Sequence, residues 1–196
     1  MDLLHQFEQI LEADPLIDEV GFVHPSQFAK LAEEAGDLIA NPSLDGTSFW
    51  SRDHKLGVST QAVLPLYNAA KLAFLSAMGE YKRLGHDVIS GDIAENEVMK
   101  HSRALLLLSS DFGTAWNSRK LVVCKKQDLS VYMDELLFSE LVLSYSPKSD
   151  HAWSHRRWVI KSITGKCSTL QEIVRKESEL VEKIAEVQIQ FKNCMH

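Results

Sequence analysis

Ala115-Trp116 returns as Ala152-Trp153, and Arg119 returns as Arg156, each shifted by 37 residues. A shared period of that length constrains the chain to stacked helical hairpins, because one such unit cannot bury its apolar face alone and must share a core with its neighbours. The two copies read GTAWNSRK from Gly113 to Lys120 and SDHAWSHRRW from Ser149 to Trp158. The rest of the chain is read against them.

The second half alternates regularly. A helix over about 114–124 carries AWNSRKLVVC, and a longer one over 129–145 carries VYMDELLFSELVLSY. Pro147-Lys148-Ser149 breaks the chain, and Ser149 is a suitable N-cap for a helix over 150–163. The unit is therefore a long helix, a tight turn and a short helix bearing tryptophan. Upstream, Ile93, Val98 and the leucine run 105–108 predict a helix over about 92–109. Leu66, Ala70, Phe74 and Ala77 trace an apolar stripe over 62–82, whose Pro65 is tolerable only near a first turn. Leu3, Leu4, Phe7, Ile10 and Leu11 predict a first helix that Asp14-Pro15 ends. Between 16 and 58 the signals are mixed, with turn residues throughout and a short helical pattern around 27–39, so this stretch reads as loop-rich. No β-alternation of any length appears. The expected class is all-α, an α-α superhelix of stacked antiparallel hairpins. Residues 1–90 form a helical lead-in, 91–163 two full repeats, and 164–196 the first helix of a third repeat with a divergent end.

At repeat spacing, Trp153, Arg157 and Ile160 share one face of their helix, with Ala152, Arg156 and Val159 beside it. Tryptophan supplies a large apolar anchor, and alanine before it lets a neighbouring helix come close. The arginine needs a carboxylate or free carbonyls to offset its desolvation. Glu135, Glu140, Glu177 and Glu179 are the candidate partners. Trp116, Arg119, Trp153, Arg156 and Arg157 are thus expected to join hairpins, and to take no part in chemistry.

Composition narrows the function. A net charge of −6 with both signs interspersed gives no attraction to nucleic acid or anionic lipid. The longest uninterrupted apolar run, Ala104 to Leu108, is far short of a membrane span, and the acidic start lacks a signal-peptide pattern, so a cytoplasmic protein is expected. Three widely separated cysteines, Cys124, Cys167 and Cys194, suit neither a disulfide framework nor a zinc site. His151 and His155 are four apart on one helix, but two ligands do not make a metal site, and hydrogen-bonding histidines at a repeat interface fit better.

AWNSRK, AWSHRRWV and the preceding SPKS resemble the repeat of the protein prenyltransferase α subunits, whose hairpins carry Trp-x-x-Arg near the start of the second helix. The tetratricopeptide repeat has a similar period but wants Leu-Gly and Tyr at fixed places after its Trp, which neither copy supplies. The resemblance implies a crescent of hairpins around a β subunit that holds the catalytic zinc and the prenyl diphosphate, with no cofactor in this chain. It implies a non-catalytic α-type subunit for geranylgeranylation of proteins ending in cysteine, paired with a β subunit of the Rab geranylgeranyltransferase type. It also assigns Lys148, which follows Pro147 and precedes Trp153 by five, a contact to the diphosphate. A third Ala-Trp-x-x-Arg does not follow the segment after Thr169, so a truncated form is expected. The alternative from another class is a helical-repeat adaptor that binds proteins without lipid transfer.

Overall fold

The computed structural model describes residues 2–28, 48–84, 88–163, 175 and 178–182. Helix α1 (Leu3–Ala13) buries Leu4, Phe7, Glu8 and Leu11, the three-and-four spacing of a single face. It ends at Asp14, whose side chain accepts from the Leu16 amide at 3.0 Å and from the His54 ring at 2.9 Å. Asp14 therefore ties the helix end to the next layer.

That layer differs from expectation. Within the lead-in expected to be loop-rich, strands β1 (Glu19–Val23), β2 (Phe49–Arg52) and β3 (Lys55–Ser59) form one sheet in the order β1-β3-β2. β1 runs parallel to β3, with Val20 opposite Leu56, and β2 runs antiparallel to it. Asp53 and His54, both at positive φ, make the two-residue turn between β2 and β3. β3 is central and buried at Leu56, Gly57, Val58 and Ser59 alike, so it has no inside-outside alternation to read. The helical pattern around 27–39 lies outside the described residues beyond Phe28.

The expected all-α class of stacked antiparallel hairpins otherwise holds. Helix α2 (Thr60–Leu84) packs against α3 (Val88–Leu108), followed by α4 (Gly113–Lys126), α5 (Leu129–Tyr145) and α6 (Asp150–Ile163). α2 starts two residues earlier than its apolar stripe, so Pro65 falls in the second turn, where its missing N–H leaves one helical bond unmade. α2 is long and apolar enough to cross a membrane by length and composition, but its Leu66, Ala70 and Phe74 are fully buried in the core. α3 is the centre of the stack: Ala104 to Leu107 are all fully buried, which requires neighbours on every side. Tyr145 closes the core from α5, its hydroxyl donating to Leu107 O at 2.9 Å, and burial pushes that phenol's pKa up. Tyr145 also meets Phe22 of β1 edge-on at 6.1 Å, which places the sheet against α5. The helix expected after Thr169 falls almost wholly outside the described residues.

Candidate functional site: a tryptophan–arginine ladder

The two copies make the same contacts in the same register. The Trp116 indole donates to Ser110 O at 2.7 Å, and the Trp153 indole donates to Pro147 O at 2.9 Å, each six residues back. Each tryptophan thus clamps the turn that leads into its own helix. Arg119 donates through Nη1 to Met99 O at 2.8 Å and Ser102 Oγ at 2.9 Å. Arg156 donates through Nη1 to Leu136 O at 2.6 Å and Ser139 Oγ at 3.0 Å. In both copies the serine hydroxyl turns back onto the same carbonyl, Ser102 on Met99 O and Ser139 on Leu136 O. The arginine therefore reads a carbonyl 20 residues back and a hydroxyl 17 back on the long helix of its own hairpin. Those polar groups offset the desolvation that burial imposes on it.

The copies are joined by one carboxylate. Glu135 on α5 receives Arg119 Nε at 3.0 Å and pairs also with Arg119 Nη2. Its Oε2 lies 2.8 Å from His155 Nε2 on α6. Arg119 is on α4, so one buried side chain links three helices across the two hairpins. Burial pushes the Glu135 carboxyl up, but the Arg119 charge and the hydrogen bonds from His155 and Arg119 outweigh it and hold the group at about 2. Burial pushes the His155 imidazole down, with Glu135 opposing. The ring is therefore neutral, donating from Nε2, while Nδ1 has no hydrogen-bond partner. It lies 4.7 Å from the Trp116 ring and 5.4 Å from Trp158, and Arg119 sits over Phe138 at 4.5 Å. Arginine, imidazole and indole are held as one packed block.

Trp116, Arg119 and Arg156 are buried, and Trp153 is partly buried. Arg157 is the exception, because it is exposed. The inward face of α6 runs through Ala152, His155, Arg156, Val159 and Ile163, and Arg157 lies outside it. Both faces satisfy a three-and-four spacing; packing on α5 selects between them. Arg156 meets Glu140 at 3.8 Å, whereas Glu135 serves Arg119 and His155. His151 is exposed over Gly113 and His155 is buried on Glu135, so the two do not converge on a common point. Among the described residues no cluster of three or more His, Cys, Asp or Glu could hold a metal. Cys124 is exposed and free.

Lys148 lies apart from the ladder. It is exposed in the turn between α5 and α6, beside exposed Asp150. Ser149, buried next to it, caps α6 by accepting from Ala152 N at 3.3 Å and donates to Asp111 Oδ1 at 2.7 Å. Asp111 stands 37 residues before Lys148, so the first copy has no lysine at this place. Ser102, Ser139 and the bridging role of Glu135 escaped the sequence reading. The two serines share the 37-residue shift, a signal overlooked beside the larger tryptophans.

The model of the protein prenyltransferase alpha subunit repeat matches residues 132–163, the second hairpin. Across a longer stretch, the chain is 32% identical over 186 residues to protein prenyltransferase alpha subunit repeat-containing protein 1-A of Xenopus laevis, covering 93% of this chain and 36% of that protein. It is 30% identical over 150 residues to protein prenyltransferase alpha subunit repeat-containing protein 1 of Homo sapiens, covering 76% and 31%. With the protein of that name from Danio rerio it shares 40% over 76 residues, covering 38% and 17%. The chain thus spans about a third or less of the length of these relatives.

Proposed function

We propose that this chain, whose residues 132–163 match the protein prenyltransferase alpha subunit repeat, serves as a non-catalytic α-type subunit in protein geranylgeranylation. The observation that carries this reading is the Arg119–Glu135–His155 bridge, which fixes successive hairpins in one geometry. A subunit of this kind offers a pre-shaped surface to a β subunit without ordering cost at binding. The proposed partner is a β subunit of the Rab geranylgeranyltransferase type, in the cytoplasm, with zinc and the prenyl diphosphate bound on that partner and the acceptor a protein ending in cysteine. Lys148 is the residue of this chain proposed to meet the diphosphate, since an exposed ammonium at a hairpin turn can oppose the charge that develops on a diphosphate leaving group.

The test is co-expression with that β subunit, followed by size-exclusion chromatography and transfer of labelled geranylgeranyl to a cysteine-terminal acceptor. A stable complex with transfer is the expected outcome. Separate elution of the two chains refutes the subunit reading, and a complex without transfer assigns the chain to the adaptor class. In an active complex, Lys148→Ala should lower turnover while assembly stays intact; unchanged turnover removes Lys148 from the site.

A further inference from the structure

Beside the ladder lies a second feature with its own chemistry. A cleft of about 390 Å³ opens between the end of α1 and helices α3 and α5. Its apolar lining includes Leu11, Ile17, Val131, Leu137, Phe138 and Leu141. Arg103 of α3 also lines it, next to Arg119. The two guanidiniums are in opposite situations. Arg119 is saturated by Glu135, Met99 O and Ser102. Arg103 has one long hydrogen bond, Nη1 to Leu11 O at 3.4 Å, its Nε is buried without a partner, and no carboxylate among the described residues stands within ion-pair distance of it. Burial and the neighbouring Arg119 charge disfavour its protonated form, and the more distant carboxylates of Glu135, Asp134 and Asp14 offset this only in part.

The acids in the cleft act on it only at a distance, and none forms an ion pair with it. Glu135 is committed to Arg119 and His155, and Glu8 to His101 at 2.6 Å. Asp134 is exposed, and desolvation followed by the charge of Glu135 pushes its carboxyl up, with the Arg103 charge opposing. Glu12 stands at the rim, as do Lys100, bound to Glu97, and Lys126, bound to Asn96. A guanidinium in a cleft with apolar wall segments, and with no ion-pair partner among the described residues, is complementary to a carboxylate carried on an apolar group, because the charge gains a partner while those segments take the hydrocarbon.

We propose that this cleft, with Arg103 as its recognition residue, binds an apolar carboxylate, either the free C-terminus of a protein segment or a small hydrophobic acid. The assignment is independent of the β-subunit reading. It can be tested on the chain alone by titrating N-acetyl-leucine, its amide, inorganic phosphate, and a pentapeptide ending in leucine with a free carboxylate, followed by calorimetry and NMR. N-acetyl-leucine should bind saturably and the amide should not. Tighter binding of the pentapeptide identifies a protein chain end as the source, and equal binding identifies a small acid. Phosphate binding as well as N-acetyl-leucine, or the amide doing so, overturns the proposal. Arg103→Gln should weaken N-acetyl-leucine roughly tenfold or more, the loss of one charge-assisted contact, with the helical circular-dichroism signal retained. Should that variant unfold, Asp134→Asn decides: removing the competing acid should tighten binding several-fold, and unchanged affinity overturns the assignment.

Discussion

At the residue scale, the protein rests on a buried charge whose partners come from three helices. Glu135 is 1% exposed and cannot be rehydrated without opening the hairpins. Glu135→Gln leaves Arg119 buried without its counter-ion, so it should cost about 3–5 kcal/mol, the range for breaking a buried pair, measurable by urea denaturation. The same carboxylate sets the acid limit. Its folded value of about 2 lies below its ordinary 4.5, so the stabilisation is complete above about pH 4.5 and is lost as pH falls toward about 2. His155 acts earlier: its folded value is lowered from 6.5, so protonation favours the unfolded chain and stability begins to fall below that pH. Denaturation curves from pH 7 to pH 3 should show both losses, and Glu135→Gln should flatten the one below pH 4.5. The two tryptophans divide similarly by environment. Trp116→Ala should cost about 3–5 kcal/mol as a fully buried truncation, and Trp153→Ala less, because that ring is only partly buried. Equal melting temperatures for the two variants would contradict the difference in packing.

At the element scale, legibility followed local punctuation. α5 and α6 begin and end where expected, at Leu129–Tyr145 and Asp150–Ile163, because Asp128 caps one through Ser130 N and Ser149 caps the other through Ala152 N. α3 starts at Val88 and not near Asp92, with Gly91 inside the helix. The sheet was not legible for the opposite reason: β3 is buried from Leu56 to Ser59 without alternation, and its parallel partner β1 lies far back in the chain. One cap joins the repeats as well as ending a helix. Ser149→Ala removes both the cap of α6 and the bond to Asp111, and should lower stability by about 1–2 kcal/mol. Ser149→Asp should restore the cap without the Asp111 contact, so a thermal melt of the pair separates the two contributions.

At the scale of the whole molecule, polar contacts from α1 to α3 fasten the N-terminal layer to the repeats among the described residues. Glu8 of α1 pairs with His101 of α3, whose other nitrogen meets Glu97 at 3.0 Å, and Arg103 holds Leu11 O. His101→Ala should therefore raise amide exchange in residues 3–13 while protection in α5 and α6 stays unchanged, as expected when one cooperative unit is loosened against another. The 37-residue shift of Ala-Trp and Arg determined by itself that the chain builds stacked hairpins, and helical spacing with its breakers located most of the helices, because both are properties of near neighbours along the chain. Only the tertiary structure decided that Glu135 serves Arg119 and His155, that Arg156 faces inward and Arg157 outward, and that a sheet lies against α5. Each of these depends on which groups meet across helices, and an equally spaced residue on the next face satisfies the sequence pattern just as well.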